Sequence, residues 1–274
     1  MPFRFHTLCI QAKWAYHHRS FPTKNYLRRM LSFLAVLIAA LGGAFLSFFC
    51  GFGLGTLLLP AFMIFFPAPV AIAATALVHM ANNVFKLFLV GKHAHWPTVR
   101  RFGIASVIGA IAGAWALQWL NSLQIDIAYN LGNQLLHTDV IRMVIGGVIL
   151  FFAIIEISPT LDKLAMPFQW LPAGGLISGF FGGLSGHQGA LRSAFLLRTG
   201  LSKNEFMGTR VVCACLVDIS RISVYATSIA SQWQSLRADL LVIASLAAFG
   251  GAWSGNKLIQ KTELALLNKI IAVS

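Results

Sequence analysis

The chain has 274 residues, of which 57% are hydrophobic and only 11% charged. Soluble domains carry about 25% charged residues, and several apolar runs here reach the ~20 residues that cross a bilayer as helix, so an ordinary soluble protein is excluded. The net charge of +13 collects at the ends of apolar runs, as the positive-inside pattern places it, and not on a basic stripe with interleaved aromatics. The expected surroundings are a lipid bilayer, with no nucleic-acid partner.

Residues 1–30 contain Arg4, Lys13, Arg19, Lys24, Arg28 and Arg29 and no acidic residue. They read as a basic extension on the cytoplasmic side, since a cleavable signal would place its short apolar core directly after the basic start. From Leu31 to Phe85 there is no Asp, Glu, Lys or Arg, but Gly51, Gly53, Gly55, Pro60, Pro67 and Pro69 interrupt the run. Later apolar runs cover Phe102–Leu120, Val140–Ile157, Leu171–Leu197, Phe206–Ile229, Ala238–Trp253 and Leu264–Val273. The expected fold is an all-α, polytopic membrane bundle of seven or eight segments, with residues 31–158 as a first membrane repeat and 159–274 as a second.

The loop from Gly91 to Arg101 holds Lys92, Arg100 and Arg101 and should be cytoplasmic, whereas Asn121–Thr138 has no Lys or Arg and should face outward. A basic N-terminus on the same side as that loop requires Leu31–Phe66 either to cross once as a broken helix or to cross and partly re-enter. The stretch Thr56–Phe66 spans only about 16 Å as helix, which favours the broken helix. Such exposed backbone survives at that depth only inside protein or against a water-filled cavity.

The two halves repeat one pattern. Ser47, the run Gly51-Phe52-Gly53-Leu54-Gly55, Ala74-Thr75 and Asn82-Asn83-Val84-Phe85-Lys86 are followed in the second half by Ser178, the run Gly182-Gly183-Leu184-Ser185-Gly186, Gly208-Thr209 and Asp218-Ile219-Ser220-Arg221. Paired glycine interruptions in corresponding halves mark a transporter site near the bilayer midplane; single glycines more often allow close helix packing. The loop charges favour parallel over inverted repeats.

A glycine break frees the first amides of the following half-helix, an arrangement suited to an oxyanion. Gly55-Thr56 and Gly186-His187 are expected to open such half-helices, with hydroxyls from Thr75, Ser185 and Thr209 completing the cradle. Asn82, Asn83, Lys86, Gln188, Arg192, Asp218 and Arg221 are further candidate ligands, because charges within a membrane segment should face the interior. Alternatives are a structural Asp218–Arg221 pair and a snorkelling Lys86. Arg198 and Arg210 read as topology determinants. His187, and second to it His79, are candidates for proton coupling, the alternative being a neutral hydrogen-bonding role.

Cys9, Cys50, Cys213 and Cys215 lack CxxC spacing, so neither disulfide, metal nor cofactor is expected. Ser185, His187 and Asp218 have the composition of a catalytic triad without spacing to support it, and no enzyme is expected. An anion channel remains the competing class. Neither the anion nor the oligomeric state is encoded legibly.

At Gly51-Phe52-Gly53-Leu54-Gly55 with Pro60, at Ala73-Ala74-Thr75-Ala76-Leu77, and at Gly182-Gly183-Leu184-Ser185-Gly186 with Gly208-Thr209, the chain resembles the sulfite exporter TauE/SafE family. That resemblance implies a bacterial inner-membrane carrier of sulfite or a related sulfur-containing organic anion, working without ATP of its own.

Overall fold

The structure is a computed structural model that describes residues 22–49, 53–132, 134–157, 168–197, 199–231 and 236–261. Among these residues there are nine main helices, joined by shorter helical turns. In chain order they are α1 (Pro22–Phe49), α2 (Leu54–Met63), α3 (Ala68–Val90), α4 (Ile104–Ser122), α5 (Val140–Ile157), α6 (Leu171–Ser185), α7 (Gly189–Leu197), α8 (Lys203–Ser231) and α9 (Ala238–Gln260). Between α4 and α5 the loop expected to face outward forms a hairpin, β1 (Asp126–Leu131) paired antiparallel with β2 (Gln134–Asp139), an addition to the all-α expectation. Gly51, Arg198 and the Leu264–Val273 run lie outside the described residues.

Among the described residues, four stretches are long and apolar enough to cross a membrane: Met30–Phe48, Ala68–His93, Trp96–Ser122 and Ala238–Gln260. Leu34 and Ile38 on α1, Ile108 and Trp115 on α4, and Leu246 and Trp253 on α9 remain exposed, as a lipid-facing belt requires. Opposite that belt, small residues let backbones close. A side chain on Gly183 of α6 would sit 2.0 Å from the Ala110 carbonyl of α4, so this glycine serves helix packing and not the cradle. Gly179 meets Ser106, and Gly251 of α9 meets Leu41 of α1, in the same way.

These contacts also set direction. Gly175 meets Phe102 and Gly183 meets Ala110, so α6 runs parallel to α4; Gly251 meets Leu41 and Gly255 meets Phe45, so α9 runs parallel to α1. One end of the bundle gathers Val90–Ala94 against Gly208 and Lys203 Nζ against the Gln260 carbonyl at 3.5 Å. The other end gathers Phe33 under Arg237, Gln118 bonded to the Val224 carbonyl at 2.5 Å, and a cavity lined by Pro69, Asn121, Ile141 and Ile229. The start of α1 therefore lies at the end opposite the basic Gly91–Arg101 loop. The expectation that both share one side is overturned, because charge counting alone cannot see that α2 turns back.

That reversal is visible at Gly43, where an added side chain would lie 2.7 Å from the Gly53 carbonyl. Ten residues of straight helix would separate these positions by about 15 Å. The chain thus folds back on α1, where a single broken helix was expected. The run Leu171–Leu197, read as one segment, likewise folds into α6 and α7, with Ser178 Oγ donating to the Gln188 carbonyl at 3.2 Å and Phe195 packed on Gly174. The two helical hairpins, α1–α2 and α6–α7, enter from opposite ends of the bundle. Such opposed entry is not what the parallel arrangement favoured by the loop charges would give.

At its exposed start, α8 is capped reciprocally: Ser202 N–H and Oγ–H donate to Glu205 Oε2 at 2.9 and 2.7 Å. Those bonds hold the Glu205 carboxyl below its ordinary range.

Two outcomes check this architecture. In a cysteine-free background, Lys92→Cys and Arg237→Cys should react with an impermeant maleimide from opposite faces of the membrane; labelling from one face would refute the arrangement. Gly183→Leu should abolish a monodisperse detergent peak, whereas Gly250→Ala, which meets nothing within 4 Å, should leave it intact.

Candidate functional site

The two hairpin tips meet. Gly53 (φ +126°) and Gly186 (φ +85°) adopt backbone conformations that side chains disfavour, and a side chain on Gly55 would approach the Gly186 carbonyl to 3.2 Å. The first helical bonds run from Leu57 N–H to Gly53 at 2.9 Å and from Arg192 N–H to Gln188 at 3.0 Å. By helix geometry the leading amides of Leu54, Gly55, Gly189 and Ala190 have no partner within their own helix. The second half-helix opens at Gly189, three residues later than expected.

Both starts line one small, partly open cavity, shared with Ser47, Thr56, His79, Phe152 and His187. The His187 ring stacks on Phe152, with centroids 5.9 Å apart, and its Nδ1 lies 3.1 Å from Ser185 Oγ. Its Nε2, both polar atoms of the Gln188 amide and Arg221 Nη1 are buried without a protein partner. Arg221 Nη1 is aimed at the tip, 2.7 Å from where a Gly186 side chain would stand. Buried donors left open in this way invite a polar guest.

Beside the tips, Asp218 is fully buried and uses both oxygens. Oδ1 accepts from Arg221 Nε at 3.0 Å and pairs with Arg221 Nη2 at 2.8 Å. Oδ2 accepts from Asn83 Nδ2 at 2.6 Å and lies 2.7 Å from His79 Nδ1. This network joins α3 to α8. It also leaves no carboxylate for His187, so the triad-like set of Ser185, His187 and Asp218 does not assemble.

A second small, partly open cavity is lined by Ser47, Phe48, His79, Asn83, Lys86, Arg192, Met207, Arg210, Val211 and Ala214. Lys86 does not snorkel: its Nζ donates to Ser47 Oγ at 2.5 Å and sits 5.0 Å above the Phe48 ring. Arg210, read from sequence as a topology determinant, instead points inward and donates to the Ser47 carbonyl at 2.8 Å.

Several expected ligands go elsewhere. Thr75 Oγ1 donates to the Ala71 carbonyl of its own helix at 2.8 Å. Thr209 Oγ1 accepts from His95 N–H at 2.9 Å, fastening α8 to the turn after α3. Asn82, its amide turned by its partners, braces α3 by donating to the Ala248 carbonyl at 3.2 Å and accepting from Lys86 Nζ at 3.3 Å. Gly182 packs against Val217 and Gln188. Ser47 and Arg210 were missed as site residues; the match between Ser47 and Ser178 in the repeat was the available signal for the first. Tyr225, whose hydroxyl donates to the Gly183 carbonyl, was missed too.

Residues 35–274 match the family described as Sulfite exporter TauE/SafE. The chain belongs to this family. No curated protein and no solved structure gives a significant match. TauE/SafE membership makes the protein a membrane protein that transports sulfite or related anions, and TauE/SafE proteins are transporters, not enzymes.

Removing one partner of a buried ion pair costs about 3–5 kcal/mol. Asp218→Asn should therefore lower the melting temperature in detergent sharply, while Asp239→Asn, whose partner Arg237 lies at the surface, should change it little. Equal melting temperatures would show that Asp218 carries no structural charge.

Proposed function

We propose that the protein is a secondary carrier of small sulfur oxyanions, sulfite or organosulfonate-like, held at the meeting point of the two glycine tips. The observation that carries this reading is a charge excess. Lys86, Arg192, Arg210 and Arg221 are buried against Asp218 as the only buried carboxylate among the described residues. Each charge costs roughly 2.5–3.5 kcal/mol at a membrane centre on insertion scales, so an anionic guest supplies the missing counter-charge. The tip amides, which bear about half a positive charge per helix end, would hold its oxygens, with Arg221, His187, Gln188 and Thr56 around them.

The opposed entry of the α1–α2 and α6–α7 hairpins supports inverted repeats, and alternating access then consists of rocking one repeat against the other about the tips. The basic Gly91–Arg101 loop would mark the cytoplasmic side of a bacterial inner membrane, placing the start of α1 on the outer side.

His79 replaces His187 as the favoured proton carrier, because its ring lines both cavities and already touches Asp218. With Nδ1–H donating to that carboxylate, neutral Nε2 can only accept, and it becomes a donor to an anion on protonation. A protonated His79 would thus favour anion entry, so uptake should rise on acidification.

Sulfite flux into proteoliposomes tests the reading. Saturation and trans-stimulation are expected; flux that stays ohmic would make the protein a channel. Arg221→Gln should reduce uptake by at least about tenfold, the factor equivalent to 1.4 kcal/mol, with normal insertion, and unchanged uptake would reduce Arg221 to a brace. His79→Gln should flatten the pH dependence, and an unaltered profile would remove coupling through this residue.

A further inference from the structure

The cavity beneath Ser47 is distinct from the tip cavity in both lining and charge. It draws three basic side chains, Lys86 from α3, Arg192 from α7 and Arg210 from α8, and among the described residues its lining contains no Asp or Glu. The nearest buried carboxylate, Asp218, is turned away and spent on Arg221, His79 and Asn83. The partners observed for Lys86 are a hydroxyl, an amide oxygen and an aromatic face, none of them charged. Arg192 is only 5% exposed, and its Nε and Nη1 have no hydrogen-bond partner at all.

An arginine buried in this state pays desolvation with nothing in return. Three cations around one small void repel one another, and Arg192 meets that repulsion with two of its nitrogens unpartnered, which something negative between them would relieve. A guest with two negative charges offsets the cluster better than one, and the fork of a guanidinium suits adjacent oxygens on a single centre.

We infer that the cavity formed by Lys86, Arg192 and Arg210 is a second anion station, for a doubly charged small oxyanion, in series with the glycine-tip station. It lies toward the end of the bundle that carries the Gly91–Arg101 loop, because Lys86 is one turn from Val90, and Gly208, two residues from Arg210, packs on Val90 and Ala94. The two stations share Ser47 and His79 as a common wall. Helix α7 reaches both: Gly189 and Ala190 line the tip cavity, and Arg192, less than a turn further, lines this one. An anion leaving the tips toward that end would pass the His79 ring and meet the three cations next. The inference rests on the transport reading above and adds a second site and the charge of its occupant.

The experiment is anion binding to the full chain in lipid nanodiscs, with selenate as a tetrahedral dianion and nitrate as a monoanion. Titration calorimetry should give two selenate sites per chain in the wild type, one in Arg192→Gln and two in Arg192→Lys. Nitrate should bind the Arg192-dependent site at least about tenfold more weakly. One selenate site in the wild type, or two in Arg192→Gln, would overturn the second station and leave the tip site standing. Nitrate binding as tight as selenate would overturn the assignment to a dianion. No selenate or sulfite binding at all would remove the transport reading as well. Should Arg192→Gln fail to fold, anomalous scattering from wild-type crystals soaked in selenate decides: a selenium peak between Lys86 Nζ and Arg192 is expected, and its absence overturns the proposal.

Discussion

Positive charge buried without equal negative charge is the constraint on which this molecule turns. Lys86, Arg192, Arg210 and Arg221 sit at 5% exposure or less around a lone buried carboxylate, Asp218, among the described residues. Lipid cannot screen them, and water reaches them poorly, so the protein must spread their cost over hydroxyls, backbone carbonyls and aromatic faces. Ser47 shows the device most plainly: its hydroxyl accepts from Lys86 while its carbonyl accepts from Arg210. What these neutral groups cannot supply is countercharge, and the proposed anionic guest would make good that shortfall.

The fold exists to hold the charges at that depth. Close glycine and alanine contacts, such as Gly183 on Ala110 and Gly251 on Leu41, align α6 with α4 and α9 with α1. Between these pairs the helical hairpins reach inward from opposite ends and bring their tips together. The Asp218 network then ties α3 to α8 immediately beside the tips. Helix packing, backbone reversal and ion pairing thus act at one level of the bundle, and each depends on the others for its position.

Much of this was legible in the sequence. The long apolar runs gave the membrane class, the duplicated glycine clusters located the two tips, and the spacing of Asp218 and Arg221 by three residues placed them on one helix face. What escaped was three-dimensional direction. The glycines near Cys50 signal a break but not whether the chain continues or reverses, and positive charges in residues 1–30 suggested that the start of α1 shares an end with the Gly91–Arg101 loop, which it does not. Hydroxyls were also overread. Thr75 and Thr209 look equivalent in the two halves, yet one bonds to its own helix and the other fastens a turn, because a threonine in a helix commonly satisfies itself on the preceding turn. Arg210 was misjudged because a cation close to a loop usually reaches for water; here Ser47 offers it a carbonyl instead.

The two tips touch through backbone, at Gly55 and Gly186, and this has a consequence for how such a protein can diversify. Main-chain N–H groups are common to every amino acid but proline, so few point substitutions can remove them, and added bulk would press Gly55 against the opposite hairpin and Gly186 against Arg221. Preference among guests of different size must therefore be written in the neighbours that ring the junction, namely Phe152, His187, Gln188 and Arg221. The centre itself stays frozen while its rim is free to vary.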